Sequence, residues 1–367
     1  MERALATTRH REDARGGSRR IRVMLVDDSA VARAVLSRMI EADPAFEIAA
    51  VAGTAEDAID VLQSVQVDTV VLDLQMPGAG GLVLIPEVLE AANGARVMIV
   101  SSLADEGAEQ TIAALAHGAA DAIPKPGAGR FNGRFSQVLL ARLKALGFAD
   151  DREPLPQPIK LQGYVPLRAM PADPIGILAI GASTGGIHAL STLFMALPAR
   201  TGVPILVTQH LPPPFMPVFA RQLAVSARRE VLVATDGMLI EPDRIVIAPG
   251  DAHLTIEPCA AGHVVRLTGE PSRSGCMPSL DPMFASVGLH FGARALGVVL
   301  TGMGRDGVDG ASRLVACGGS ILAQDEDSSA VWGMPRAVVE AGLACAIMPP
   351  EKIARRIASR TGDGACR

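Results

Sequence analysis

Short apolar runs alternate with segments of helical spacing, twice over. That alternation restricts the chain to parallel sheets flanked by helices. In the first stretch the apolar runs are Ile21–Val26, Ile48–Ala52, Thr69–Leu72, Val97–Val100 and Ala122–Ile123. Between them, Ala30–Glu41, Ala55–Gln63, Leu82–Ala91 and Gly107–Ala116 carry apolar residues at helical intervals. In the second stretch Ile175–Ile180, Pro204–Thr208, Val231–Ala234, Arg244–Ala248 and Leu296–Leu300 read as strands, and His188–Ala196, Pro214–Ser226, Pro282–Phe291 and Gly310–Cys317 as helices. Two α/β domains are predicted, each with its ligand site beyond the carboxyl ends of its strands.

The two stretches are separated by residues 147–174, which hold six prolines. Proline stiffens the backbone and removes its donors, so this segment reads as an extended linker. Residues 1–20 contain six arginines and little apolar surface and read as a disordered tail. The expected organisation is therefore a tail at 1–20, a first domain at 21–146, the linker at 147–174 and a second domain at 175–360. A length of 367 residues accommodates two such domains.

The charge balance excludes several function classes. Lys and Arg number 34 against 39 Asp and Glu, a net charge of -5, which disfavours nucleic-acid binding. No apolar run is long enough to cross a membrane, so no membrane insertion is expected. The five cysteines are odd in number and form no C-x-x-C pair. This pattern argues against a disulfide framework or a zinc site and for a reducing cytoplasm.

Asp27 and Asp28 directly follow the first apolar run, and Asp73 follows the third. Three carboxylates at strand ends of one parallel sheet repel one another unless a cation joins them. Hard oxygen donors of this kind suit Mg²⁺. Ser101 ends the fourth run and Lys125 follows the fifth, where a hydroxyl and an ammonium can meet phosphoryl oxygens. Asp73 is then placed as a carboxylate that accepts a phosphoryl group. The Asp27–Asp28 pair, the D-x-x-M-P-x-x-x-G pattern Asp73–Gly81, Ser101 and Lys125 before Pro126 together resemble the receiver domain of two-component response regulators over about residues 21–140. The resemblance implies a flavodoxin-like five-stranded fold and phosphorylation at Asp73. Two positions depart from the pattern: Gly80 stands where an acid is common, and Ala122 where an aromatic switch residue is common.

In the second domain, Gly181-Ala-Ser-Thr-Gly-Gly186 follows an apolar strand and precedes a helix. A serine on such a turn is exposed, and the helix N-terminus offers N–H groups to an oxyanion. Without a second glycine in G-x-G-x-x-G spacing, the loop is a poor dinucleotide site, although a bound nucleotide is the alternative reading of it. Ser183 needs a base, and His188, His210 and His253 compete for that role. His210 leads because it ends the strand PILVTQ at the same sheet edge. An acid would orient the imidazole. Asp306, in LTGMGRDG after the run LGVVL, is favoured over Asp251, Asp281 and Asp309.

GASTGG (Gly181–Gly186), TQHLPPPF (Thr208–Phe215), IAPGDAHL (Ile247–Leu254), PSLDPMFAS (Pro278–Ser286), LTGMGRDG (Leu300–Gly307) and LAQDEDSSAVWGMPRAV (Leu322–Val338) resemble the catalytic domain of the chemotaxis protein-glutamate methylesterases. The resemblance implies catalytic roles for Ser183, His210 and Asp306 and places Thr184 and Met303 near the oxyanion and substrate pocket. It implies hydrolysis of glutamate methyl esters on the cytoplasmic helices of chemoreceptors, and in the family also deamidation of receptor glutamines. A chemotaxis histidine kinase would be the phosphodonor. Mg²⁺ would serve receiver phosphorylation, with no cofactor for ester hydrolysis. Pro212–Pro214 depart from the motif behind His210. The competing architecture, a receiver-linked transcription factor, requires a small basic output domain. Residues 147–367 instead carry nineteen basic and twenty acidic side chains.

Overall fold

The computed structural model describes residues 19–78, 80–101, 105–126, 133–147 and 166–361. Most of the expected tail and linker therefore lies outside the described residues. The first domain consists of β1 (Ile21–Val26), α1 (Ala30–Glu41), β2 (Phe46–Ala52), α2 (Ala55–Leu62), β3 (Thr69–Leu72), α3 (Ile85–Ala91), β4 (Arg96–Ser101), α4 (Asp105–His117), β5 (Asp121–Pro124) and α5 (Gly133–Gly147). Its five strands are parallel in the order β2-β1-β3-β4-β5. β3 is buried at every position because helices cover both faces of a central strand. Local sequence starts the helices where side chains can cap them: Ser29 accepts from the Ala32 amide and Thr54 from the Asp57 amide. Helix α3 begins at Ile85 and not at Leu82, with Pro86 in its first turn, where a missing N–H costs no hydrogen bond.

The second domain comprises β6 (Ile177–Ala182), α6 (Gly186–Ala196), β7 (Ile205–Gln209), α7 (Met216–Ala227), β8 (Val231–Val233), β9 (Ile245–Ile247), the hairpin β10 (His253–Cys259) and β11 (Gly262–Thr268), α8 (Leu280–Phe291), β12 (Ala295–Val299), α9 (Val308–Ala316), β13 (Ser320–Ala323), α10 (Met334–Glu340), β14 (Ala344–Ile347) and α11 (Pro350–Ala358). Seven of its strands form one parallel sheet in the order β14-β13-β12-β6-β7-β9-β8. The chain leaves β6 toward β7 on one side and returns to β12 on the other. This reversal opens a crevice at the carboxyl ends of β6, β7 and β12, where a doubly wound sheet holds its ligand.

The two domains pack together through receiver helix α4. Its buried Ala108, Ile112 and Leu115 belong to the same apolar cluster as Leu190 and Leu193 of α6 and Phe215 and Phe219 at the start of α7. Val331 of the second domain joins the cluster formed by β1, β4 and α5 of the first.

Candidate active site and phosphoacceptor site

Ser183 stands one residue beyond β6 and His210 one residue beyond β7. Ala182 and Gln209 are register partners on these adjacent parallel strands, so Ser183 and His210 emerge side by side. Neighbouring hydrogen-bonded strands lie roughly 4.8 Å apart. The turn is tight. Gly185 adopts φ +77°, and a Cβ there would lie 2.5 Å from the Ala330 Cβ. Gly302 lets the loop after β12 close on the serine, since a Cβ would lie 2.7 Å from the Ser183 Cβ. The Gln209 side chain donates to the Ser183 carbonyl at 2.8 Å, and the Ser183 amide donates to the Thr301 carbonyl at 3.0 Å. Helix α6 starts at Gly186, slightly earlier than expected.

The loop after β12 carries Asp306, whose Oδ2 lies 2.9 Å from His210 Nε2. Asp306 is 1% exposed. Its Oδ1 accepts from the Ser274 and Ser279 hydroxyls, each at 2.6 Å, and its Oδ2 also accepts from the Leu280 amide at 2.8 Å. Burial pushes this carboxyl up, but His210, through its hydrogen bond and charge, and the serine hydroxyls outweigh burial and leave it below the usual range. With Nε2 committed to Asp306, Nδ1 is the imidazole nitrogen that Asp306 does not engage.

The competing histidines have other employment. His253 is fully buried; its Nδ1 accepts from the Ser279 amide at 2.9 Å and its Nε2 meets the Glu270 carbonyl at 2.8 Å. It therefore holds Ser279, which in turn holds Asp306. His188 is exposed and meets the receiver's Ala116 carbonyl at 3.1 Å. Among the competing acids, Asp281 accepts from the Gly310 amide at 2.7 Å, Asp309 pairs with Arg273 at 3.1 Å, and Asp251 is exposed. Met303 lies on the same loop as Asp306 and is 41% exposed. Thr184 is not turned toward a substrate: its hydroxyl donates to receiver Asp121 Oδ2 at 3.0 Å. The Gly185 amide donates to the receiver's Ala120 carbonyl at 2.6 Å. Ser274, Ser279 and Asp121 are the residues that the sequence reading missed. Ser279 lies within PSLDPMFAS, and its N-cap position before α8 was the available signal.

At the carboxyl ends of the receiver strands, oxygen atoms of Asp27, Asp28 and Asp73 all lie within 4.8 Å of one another. Lys125 Nζ bridges two of them, at 2.7 Å from Asp27 Oδ2 and 2.6 Å from Asp73 Oδ2. Burial raises the Asp73 carboxyl above its usual range, against the lowering effect of Lys125. Burial alone would lower the Lys125 ammonium, but the two aspartates outweigh it and raise it. Ser101 is 2% exposed, and among the described residues its Oγ has no hydrogen-bond partner. A buried hydroxyl left without a partner beside clustered carboxylates and an ammonium fits an incoming phosphoryl group. The carboxylate set fits a hard cation such as Mg²⁺. Gly80 has φ +80°, a left-handed conformation that glycine adopts without a steric penalty.

Fold and sites thus define a class: a five-stranded domain of receiver type with a carboxylate cluster, joined to an α/β domain with a Ser-His-Asp arrangement at its switch point. The family model described as CheB methylesterase matches residues 178–357, and the response regulator receiver domain model matches residues 23–130. The chain is 38% identical over 378 residues to a protein-glutamate methylesterase/protein-glutamine glutaminase of Azospirillum brasilense, covering 96% of each chain. It is 41% identical over 343 residues to protein-glutamate methylesterase/protein-glutamine glutaminase 2 of Caulobacter vibrioides, covering 93% of this chain and 99% of the relative. The solved catalytic domain of Thermotoga maritima CheB methylesterase is 32% identical, with a TM-score of 0.49, and the match covers 50% of this chain and 98% of that one. The chain belongs to the CheB protein-glutamate methylesterase family.

Proposed function

We propose that this chain hydrolyses γ-methyl esters of glutamate, and deamidates glutamine, on the cytoplasmic helices of chemoreceptors, under control of receiver phosphorylation. The observation that carries this reading is the buried Asp306 at 2.9 Å from the half-buried His210, with Ser183 and His210 on adjacent strand ends. In the reaction Ser183 Oγ attacks the ester carbonyl while His210 Nδ1 takes its proton. The same nitrogen returns the proton to the departing methoxide, releasing methanol. Water, deprotonated by His210, then attacks the acyl-serine and frees the carboxylate. Asp306 keeps the imidazole in one tautomer and offsets its charge when protonated. A glutamine substrate passes through the same acyl-serine, with ammonia as the leaving group. The Gly185 amide at the start of α6 is a candidate oxyanion donor, with Met303 bordering the pocket.

Asp73 is the proposed phosphoacceptor, with a chemotaxis histidine kinase as donor. Asp27, Asp28 and Asp73 would hold Mg²⁺, which offsets charge on the transferred phosphoryl group when bound. Ser101 and Lys125 receive the phosphoryl oxygens. Domain limits of 21–146 and 175–360, joined by 147–174, are part of this reading, as is a cytoplasmic location. Among the described residues no helix is long and apolar enough to cross a membrane.

The test is methanol release from methylated receptor by the full chain. Ser183→Ala is expected to lose on the order of 10⁶ in kcat with the fold retained. A fluorophosphonate probe should label the wild-type chain at Ser183. Hydrolysis surviving in a folded Ser183→Ala chain would remove the serine from the mechanism. A nucleotide-binding loop would give no labelling.

A further inference from the structure

His210, Cys276 and Asp306 each present a ligand atom within 4.8 Å of the other two. The thiol is not part of the Ser-His-Asp arrangement, and the ester chemistry leaves it without a task. Its position is nevertheless fixed. The Cys276 amide donates to Ser274 Oγ at 3.3 Å, Ser274 Oγ donates to Asp306 Oδ1 at 2.6 Å, and Ser272 Oγ donates to the Cys276 carbonyl at 2.9 Å. The loop that carries the thiol is thus tied to the carboxylate that orients the histidine. Ser279, held by the buried His253, braces the same carboxylate from the other side.

We propose that these three side chains form an inhibitory site for a zinc-class transition-metal ion. Imidazole, thiolate and carboxylate are the donor types zinc prefers, and three protein ligands leave a fourth position for water. In a tetrahedral zinc site such ligand atoms stand about 3.4–3.6 Å apart, so side-chain shifts of about 1 Å suffice, bringing the thiol in and, where the metal takes Nε2, opening the His210–Asp306 pair from 2.9 Å. The serine hydroxyls on Asp306 Oδ1 are the kind of supporting hydrogen bonds that orient a metal-ligating carboxylate. Binding replaces the thiol proton, which is released to solvent, and the metal takes a ring nitrogen of His210. If it takes Nε2, the ring proton is confined to Nδ1; if it takes Nδ1, that lone pair is filled. Either way the imidazole can no longer accept a proton from Ser183. The thiolate and imidazole donors separate this site from the all-oxygen cluster in the receiver, whose hard donors suit Mg²⁺.

The inhibition half of this proposal rests on the Ser-His reading of the esterase; the binding half does not. The experiment therefore reads both. The full chain carrying Asp73→Asn, to weaken the receiver cluster, is titrated with Zn²⁺ against a chromophoric chelator and separately with Co²⁺. One Zn²⁺ per chain is expected, with a thiolate-to-cobalt charge-transfer band in the near ultraviolet. Cys276→Ser should abolish that band and weaken Zn²⁺ binding at least tenfold. Methanol release by the wild-type chain should fall on adding stoichiometric Zn²⁺ and return with EDTA. The Cys276→Ser chain, metal-free, should keep its activity and resist Zn²⁺, which also shows that it folds. Equal Zn²⁺ affinity in Cys276→Ser, or a cobalt spectrum without a thiolate band, overturns the site. Binding through Cys276 with undiminished methanol release overturns the inhibition and retains the site.

Discussion

Four hydrogen bonds converge on Asp306, from Ser274 and Ser279 on one oxygen and from His210 and the Leu280 amide on the other, and the pair on one oxygen is lost or inverted if the carboxylate becomes an amide. In Asp306→Asn the NH₂ group must face one or more donors. A drop of about 10⁴ in kcat is expected from loss of the fixed imidazole tautomer. Leaving buried donors unpaired should also destabilise the fold by about 1–3 kcal/mol. The pH dependence follows from the direction of the shift. A carboxyl held below its unfolded value of about 3.9 adds stability above that pH, and the contribution is lost as pH falls through the folded value. Asp306→Asn should therefore flatten the acid side of a plot of urea midpoint against pH; an unchanged acid slope would mean the network is not holding the charge. His253 was legible in the sequence only as a rival base. Its task became visible once both ring nitrogens were seen to be occupied. His253→Ala should lose less methylesterase activity than His210→Ala at matched stability. A larger loss would reverse the two assignments. The placement of Ser183, His210 and Asp306 was readable from three loops following apolar runs. The serines that brace Asp306 were not, because a hydroxyl's partner depends on how distant loops meet.

At the scale of elements, the turn between β6 and α6 fixes the geometry of the site through backbone conformation. Gly185→Ala would place a side chain at φ +77°, with its Cβ also 3.1 Å from Thr301 Cγ2. The left-handed conformation alone costs a non-glycine residue about 1–2 kcal/mol. Methylesterase activity should fall by more than tenfold even where circular dichroism reports a folded chain. Near-normal turnover would show that the turn is not rigid. The elements that carry the site were legible because β1, β3, β4, β6, β7 and β12 are apolar runs ending in polar residues. The hairpin β10–β11 was missed: its two-residue connection, Ala260–Ala261, lacks the Asn-Gly type of signal that marks a hairpin. β13 and β14 were also not recognised in the sequence. Helix α5 carried a readable stripe, with Leu139, Leu143 and Leu146 buried at helical spacing, and was not recognised in the sequence.

Across the whole molecule, the receiver sits against the serine turn through the amino-terminal end of β5, opposite the end that bears Asp73. Ala120 and Asp121 engage the Gly185 amide and the Thr184 hydroxyl, and Arg142 of α5 holds Asp121 at 2.6 Å. Arg221 of α7 also reaches Glu109 of α4 at 2.8 Å, although both side chains are more than half exposed and the pair adds little. The receiver carbonyl thus occupies the N–H proposed for the oxyanion, which is a physical basis for low activity in this arrangement. The packing of α4 and the Arg142–Asp121–Thr184 chain of hydrogen bonds link the two domains. Phosphorylation of Asp73 would add a dianion that draws Ser101 and Lys125 toward it and shifts the receiver between two packings. Full-length chain supplied with Mg²⁺ and a small phosphodonor should therefore release methanol faster, and Asp73→Asn should not respond. A fragment beginning near residue 174 should match or exceed the phosphorylated chain. Asp121→Ala should raise the unphosphorylated rate severalfold, because it frees Thr184 while leaving the Asp73 pocket intact. Equal rates for fragment and unphosphorylated full-length chain would eliminate inhibition by docking, and a phosphodonor response persisting in Asp73→Asn would eliminate Asp73 as the trigger.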